Sequence, residues 1–127
     1  MSVRRRTLLS TLALALLGML VLAGPASALH ANYSSKLTFN LVNGAFKGRV
    51  KSSEEECLQE RTVKLFRERN KRRALLATTT SAADGSWSIP TGNRLTVGSY
   101  YATLTVKVST ETGVRCLAAK SRVAILD

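Results

Sequence analysis

The sequence predicts an all-β protein, a small antiparallel two-sheet β-sandwich of about seven strands preceded by a helical signal peptide. Apolar and polar residues alternate with a period of two, which is typical of half-buried strands. Turn signals such as Asn43–Gly44 and Asp84–Gly85 separate the alternating segments, and strand-sized segments recur about every ten residues. We find no alternation of strands with helices, so a parallel sheet is not expected.

The first 28 residues have the three regions of a secretory signal peptide. Arg4–Arg6 precede an apolar run at 8–22, and Ala26–Ala28 supplies small residues at the −3 and −1 positions. Cleavage after Ala28 leaves 29–127 as one domain, with an ordered core from about residue 36. The alternative is a retained anchor, but the 15-residue run is shorter than the roughly 20 apolar residues that span a bilayer. We therefore expect a secreted, extracellular protein without stable membrane insertion.

The first half of the domain is predicted to begin with a hairpin. Residues 36–41 alternate, turn at Asn43–Gly44, and return as strand 46–51, whose outward face is entirely cationic. The serines and glutamates of 52–56 are typical of a solvated loop. A third strand is expected at 61–69.

The segment from Glu60 to Ala77 allows two interpretations. Its Leu, Arg, Lys and Ala residues also favour helix. The alternation of Val63 and Leu65 with polar residues, and the threonine run at 78–80, favour strands instead. We therefore predict a hairpin with a basic tip at 70–73.

The second half is predicted to contain four further strands and one long connection. Residues 86–90 form a strand that Pro90 ends, and 91–98 form a surface connection. Residues 100–108 carry the longest apolar face and are expected to form the central strand. A strand carrying Cys116 follows, and 122–126 closes the sheet.

Inward-facing apolar positions of these strands make up the predicted core. They are Phe46, Val50, Val63, Leu65, Trp87, Ile89, Tyr100, Leu104, Val106, Val123 and Ile125.

The chain has two cysteines, Cys57 and Cys116, and an even number in an exported protein predicts a disulfide. Closing this loop of 59 residues is worth about 4 kcal/mol in the chain-entropy model. Free thiols are the alternative. The only histidine, His30, lies near the expected new N-terminus, so the sequence offers no base for a serine or cysteine nucleophile. We expect no enzyme activity, no catalytic residues, no metal site and no cofactor.

Removal of the signal peptide leaves 16 Lys and Arg against 8 Asp and Glu, a net charge of about +8. One interpretation is that this charge only keeps the domain soluble. The other is a surface that binds an anionic cell-surface polymer, a glycan or nucleic acid, to which Lys47, Arg49 and Lys51 could contribute. Its main candidates are the cations near the predicted tip: Arg67, Arg69, Lys71, Arg72 and Arg73.

Four motifs carry a resemblance to a known family. Phe46-x-Gly48-x-Val50, Arg61-x-Val63-x-Leu65-Phe66, Asp84-Gly85-x-Trp87 and Gly98-x-Tyr100-Tyr101-Ala102 resemble the framework of transthyretin-like, carboxypeptidase-regulatory-like β-sandwiches. That family is similar in shape to immunoglobulin-like modules. The resemblance implies a non-catalytic module of an exported bacterial protein that interacts with an extracellular protein or glycan. Binding of a polyanion is the alternative function.

We predict that the exported protein begins at Leu29, because Ala26 and Ala28 are the small residues that signal peptidase recognises. N-terminal sequencing of the secreted chain tests this prediction. Recovery of intact Met1 in a membrane fraction would contradict it.

Overall fold

The computed structural model describes residues 31–92 and 95–127, so the predicted signal peptide at 1–28 lies outside the described residues. The described part is all-β, as the sequence predicts, and none of its helices is long and apolar enough to cross a membrane. In chain order its strands are β1 (Ala31–Tyr33), β2 (Lys36–Leu37), β3 (Asn40–Val42), β4 (Ala45–Lys51), β5 (Thr62–Arg69), β6 (Arg72–Thr80), β7 (Ser86–Pro90), β8 (Gly98–Leu104), β9 (Lys107–Ser109), β10 (Val114–Cys116), β11 (Ala119–Lys120) and β12 (Ala124–Leu126).

Two antiparallel sheets form the sandwich, and a small third sheet lies beside it. In the first sheet, β4 pairs with β2 and β3 along one side and with β7 along the other. In the second sheet, β5 lies between β6 and β8, and β11 and β12 pair with the far side of β8. The third sheet has the order β1, β10, β9, with β1 parallel to β10.

The core lies between the inner faces of the two main sheets. Phe46 is stacked between Phe39 and Tyr100, with ring centroids 4.9 and 5.3 Å apart, respectively. Eight of the eleven predicted core residues are buried. They are Phe46, Val50, Val63, Leu65, Trp87, Ile89, Tyr100 and Leu104.

The prediction of Val106 as a core residue is wrong, because the predicted central strand breaks after Leu104. Val106 is 44% exposed. The backbone N–H of Thr105 still donates to Thr62, but its carbonyl accepts from the side chain of Arg61. The chain then leaves the second sheet and continues as β9 in the third.

Val123 and Ile125 are also exposed, at 45% and 69%, because the register shifts by one residue between β11 and β12. Lys120 lies opposite Thr103, but Ala124 lies opposite Tyr100, so one extra residue has entered the strand. A shift of one residue exchanges the two faces of a strand. Ala124 and Leu126 therefore pack against the core in place of the two larger residues.

Gly48 of β4 lies opposite the break between β2 and β3, where there is no room for a side chain. A Cβ atom at Gly48 would lie 1.8 Å from the Thr38 carbonyl oxygen and 2.8 Å from the Trp87 ring. At this break the side chain of Phe39 enters the core and stacks near Trp87. A side chain at Gly48 would push this packing apart.

The predicted disulfide is confirmed. Cys57 ends a short 3-10 turn at Glu55–Cys57, and its sulfur bonds to Cys116 of β10 with the Cα atoms 5.5 Å apart. Both cysteines are buried in a small second cluster with Val114 and Tyr33. The disulfide thus attaches the third sheet to the loop that leads into β5.

Arg61 is completely buried immediately before β5, although arginine is usually exposed. Its Nη1 donates to the Ser35 hydroxyl and the Cys57 carbonyl, and its Nη2 donates to the carbonyls of Thr105 and Leu117, each at 2.9 Å. Burial lowers the pKa of the Arg61 guanidinium, but arginine remains protonated in proteins. One side chain therefore joins four separate segments of the chain.

We predict that Arg61→Met lowers the free energy of unfolding by at least about 3 kcal/mol, because one buried and two partly buried carbonyls lose their donor. Urea unfolding measures the loss. The matched control is Arg69→Met at an exposed position, for which a change within about 0.5 kcal/mol is expected. Equal losses in the two variants would contradict a structural role for Arg61.

Candidate functional site

The β5–β6 hairpin places the candidate cations at one end of the second sheet. Arg69 pairs with Arg72, and the two residues between them, Asn70 and Lys71, form the turn. Both have a left-handed backbone, with φ of 52° and 62°. This combination matches the two-residue turn that suits the twist of a hairpin.

The strand register divides the arginines between the two faces of the hairpin. Arg67 and Arg69 are two residues apart, and Arg72 lies opposite Arg69, so these three share one face. Arg73 lies on the other face, opposite Glu68. Lys71 lies in the turn between them. The predicted tip residues are therefore close together in the hairpin. The four arginines, but not Lys71, line a shallow concavity of about 590 Å³ together with Asn70 and Ala74.

Two of these arginines are held in place by neighbouring groups. The guanidinium of Arg67 donates to the Thr96 hydroxyl, and its aliphatic stem packs against Gly98, where a Cβ atom would lie 3.0 Å from Cγ. The guanidinium of Arg73 lies 4.6 Å from the centre of the Phe66 ring. Arg69, Lys71 and Arg72 are exposed. The tip thus combines two cations held by neighbouring groups with three exposed cations.

The contact of Arg73 with Phe66 is one end of a row across the outer face of the second sheet. Phe66 stacks on Tyr101 with ring centroids 5.5 Å apart, and the Lys120 ammonium lies 4.2 Å from the centre of the Tyr101 ring. A cation over an aromatic ring is attracted by the ring's quadrupole. The sequence does not reveal these partners of Phe66, because Arg73 and Tyr101 belong to other strands.

The carboxylates concentrate at the opposite end of β5. Glu54, Glu55, Glu56 and Glu60 lie in the segment before this strand, and the Glu56 carboxylate accepts from Thr112, next to Glu111. The seven residue steps of β5 separate this end from the tip by about 23 Å. Five of the eight acidic residues therefore lie away from the tip, although the Lys107 ammonium, which donates to the Glu56 and Gln59 carbonyls, is at the same end.

Lys47, Arg49 and Lys51 do not converge with the tip. They project from the outer face of β4, in the other main sheet. The broad hypothesis of one large basic surface is therefore replaced by two separate surfaces, of which the tip has the larger number of cations.

No protein-family model matches this chain, and no curated protein matches it significantly. Among solved structures, the chain is similar to pectate lyase Pel3 from Pectobacterium carotovorum, with 14% sequence identity and a TM-score of 0.36. The similarity covers 73% of this chain but only 28% of the other, so the chain spans less than a third of that protein's length.

Proposed function

We propose that this protein is a secreted, non-catalytic β-sandwich module that binds an anionic polymer of a cell surface through the tip of the β5–β6 hairpin. The observation that carries the proposal is the gathering of Arg67, Arg69, Lys71, Arg72 and Arg73 at one end of the sheet. The disulfide supports an exported protein, because such bonds persist in oxidising compartments.

The backbone at Lys71 supports a role for its charge. The chain's other two-residue hairpin turn, between β3 and β4, uses Asn43 and Gly44 with φ of 49° and 75°. The tip turn has nearly the same geometry but places lysine where the first turn places glycine. A left-handed backbone costs a non-glycine residue about 1–2 kcal/mol. Lys71 therefore bears a conformational cost that glycine avoids. A role for its exposed ammonium in binding would explain why lysine occupies this position.

The chemistry of the tip favours carboxylate, sulfate or phosphate groups. Planar guanidinium groups donate two hydrogen bonds to such anions, and several exposed cations together suit a repeating polymer better than one small anion. Each exposed charge contributes little alone, and the total decreases as salt screens the contacts. A protein partner would need a surface rich in carboxylates to pair with the same cations.

The rings on this surface favour a glycopolymer over nucleic acid. Proteins that bind single-stranded nucleic acid stack bases on accessible aromatic rings. Here Arg73 lies over Phe66, Lys120 lies over Tyr101, and Tyr101 is buried. The two rings therefore orient cations and are not free to receive bases.

We predict that Lys71→Gly weakens retention on heparin or on walls bearing teichoic acid by about two- to fivefold, through loss of one exposed cation. The same variant leaves the free energy of unfolding unchanged or raises it by up to about 1 kcal/mol, because glycine suits the left-handed turn. Affinity thus falls without any loss of stability, which partial unfolding cannot explain.

The charge-matched control is the double variant Lys71→Gly with Thr110→Lys, which moves the cation to the exposed loop after β9 at the other end of the molecule. Retention as weak as that of Lys71→Gly alone supports the tip. Recovery of full retention would show that net charge alone acts. Tighter binding of an oligonucleotide than of a glycan fragment of equal charge would contradict the proposed class of polymer.

We also predict that Phe66→Leu weakens polymer binding by about two- to fivefold at constant net charge, because Arg73 loses the ring that orients it, a contact worth about 0.5–1 kcal/mol. Binding is measured by calorimetry at low salt. The contact is absent in Arg73→Gln, so adding Phe66→Leu to that variant should have little further effect. A full second loss would place the role of Phe66 in the packing of the sheet.

A further inference from the structure

We infer that the outer face of β4 is a second anion-binding site, so that one linear anionic polymer contacts the module at two separate points. This inference rests on the proposed function for the class of polymer. The first site is the hairpin tip, and the second belongs to the other main sheet.

The β4 face carries a row of cations at regular spacing. Lys47, Arg49 and Lys51 are all exposed, and alternate residues of an antiparallel strand lie about 6.8 Å apart. Lys36 of β2 lies directly opposite Lys51. Like charges at opposing positions destabilise a strand pair. The one directly opposed pair, Lys36 and Lys51, therefore repels, and a bound anion would reduce that repulsion.

Neutral hydrogen-bonding groups border this row. Lys47 lies between Ser88 of β7 and Asn40 of β3, and Arg49 lies opposite Ser86 of β7. These residues line an open trough of about 750 Å³ that continues to Thr79 and Thr80 at the end of β6. Cations flanked by hydroxyl and amide groups on the neighbouring strands match a ligand that carries both charged groups and hydroxyls, as anionic polysaccharides do.

Asp84 contacts Ser86, one of the residues that line the trough. Its carboxylate accepts from the backbone N–H and the hydroxyl of Ser86, and these bonds, with the nearby charge of Arg49, hold the pKa of Asp84 below its usual range. The aspartate is therefore charged at neutral pH and attracts Arg49. Two further cations of the row then remain for an incoming anion: Lys47 in the trough, and Lys51, which lines a separate concavity with Lys36.

The length of β6 sets the distance between the two sites. Arg72 stands at the tip and Thr80 lines the trough, so eight residue steps separate them by about 26 Å. A polymer longer than this distance can bind both sites at once, and a short fragment cannot. Binding at the second site then becomes intramolecular, which raises affinity by an effective-concentration factor.

Size-defined heparin fragments test the inference by calorimetry, with one set about 15 Å long and one at least about 40 Å long, chosen around the β6 spacing. For the unmodified protein, the long fragments are expected to bind at least about tenfold more tightly per fragment than the short ones. Lys47→Gln with Lys51→Gln should abolish this difference. The control, Lys64→Gln with Arg115→Gln, removes the same charge elsewhere and should retain it.

A second measurement locates the short fragment directly. Backbone amide signals are expected to shift in two separate groups, one around Asn70 and one around Ser88. Shifts confined to the tip, or a length dependence that survives Lys47→Gln with Lys51→Gln, would overturn the second site while leaving the proposed function intact. Binding of short fragments that is insensitive to Lys71→Gly would instead contradict the tip. Poly(glycerol phosphate) of equal length, tested in parallel, distinguishes phosphate from sulfate as the preferred anion.

Discussion

The burial of one positive charge constrains most of this fold. The guanidinium of Arg61 has lost its water, and its bonds to Ser35, Cys57, Thr105 and Leu117 replace that water with oxygen dipoles rather than with a carboxylate. An ion in the interior is tolerated only when such partners are in place. Each acceptor comes from a chain segment that must stop or turn at this point. The start of β5, the end of β8, the disulfide turn and the exit from β10 therefore meet around a single side chain.

The sequence predicted the parts of the fold that depend on local chemistry. Asn43–Gly44 and Asp84–Gly85 form turns because glycine accepts their backbone angles, and alternation placed Val63, Leu65 and Trp87 inside. Breaks in strands were missed because their causes lie elsewhere in the chain. The end of β8 depends on Arg61, about 44 residues away in sequence. Ala124 faces the core in place of Val123 because one extra residue lies between β11 and β12, and the alternation of apolar residues does not reveal this extra residue.

The position of Arg61 itself was available in the pattern. It lies in phase with the buried residues Val63 and Leu65, but the general rule that arginine is exposed overrode this signal. The hairpin tip was predictable because Asn70 and its cationic neighbours interrupt two apolar segments. Its division into two faces was not, since the register shifts between Leu65 and Phe66. The contact of Lys120 with Tyr101 needs the strand order of the sheet, which the sequence does not specify.

The same hairpin has a consequence for the colloidal behaviour of the protein. β6 is a strand of nine residues at the edge of the second sheet, where it pairs with β5. Two of its leucines, Leu75 and Leu76, are 54% and 43% exposed. A long apolar strand at the border of a sheet is a template for stacking of further copies. Two features oppose such growth: the irregularity near Leu76 interrupts the ladder, and Arg72 and Arg73 repel an approaching copy. The arginines proposed to bind an anion thus also oppose aggregation, so that removing these charges would expose the strand to fibrillar association.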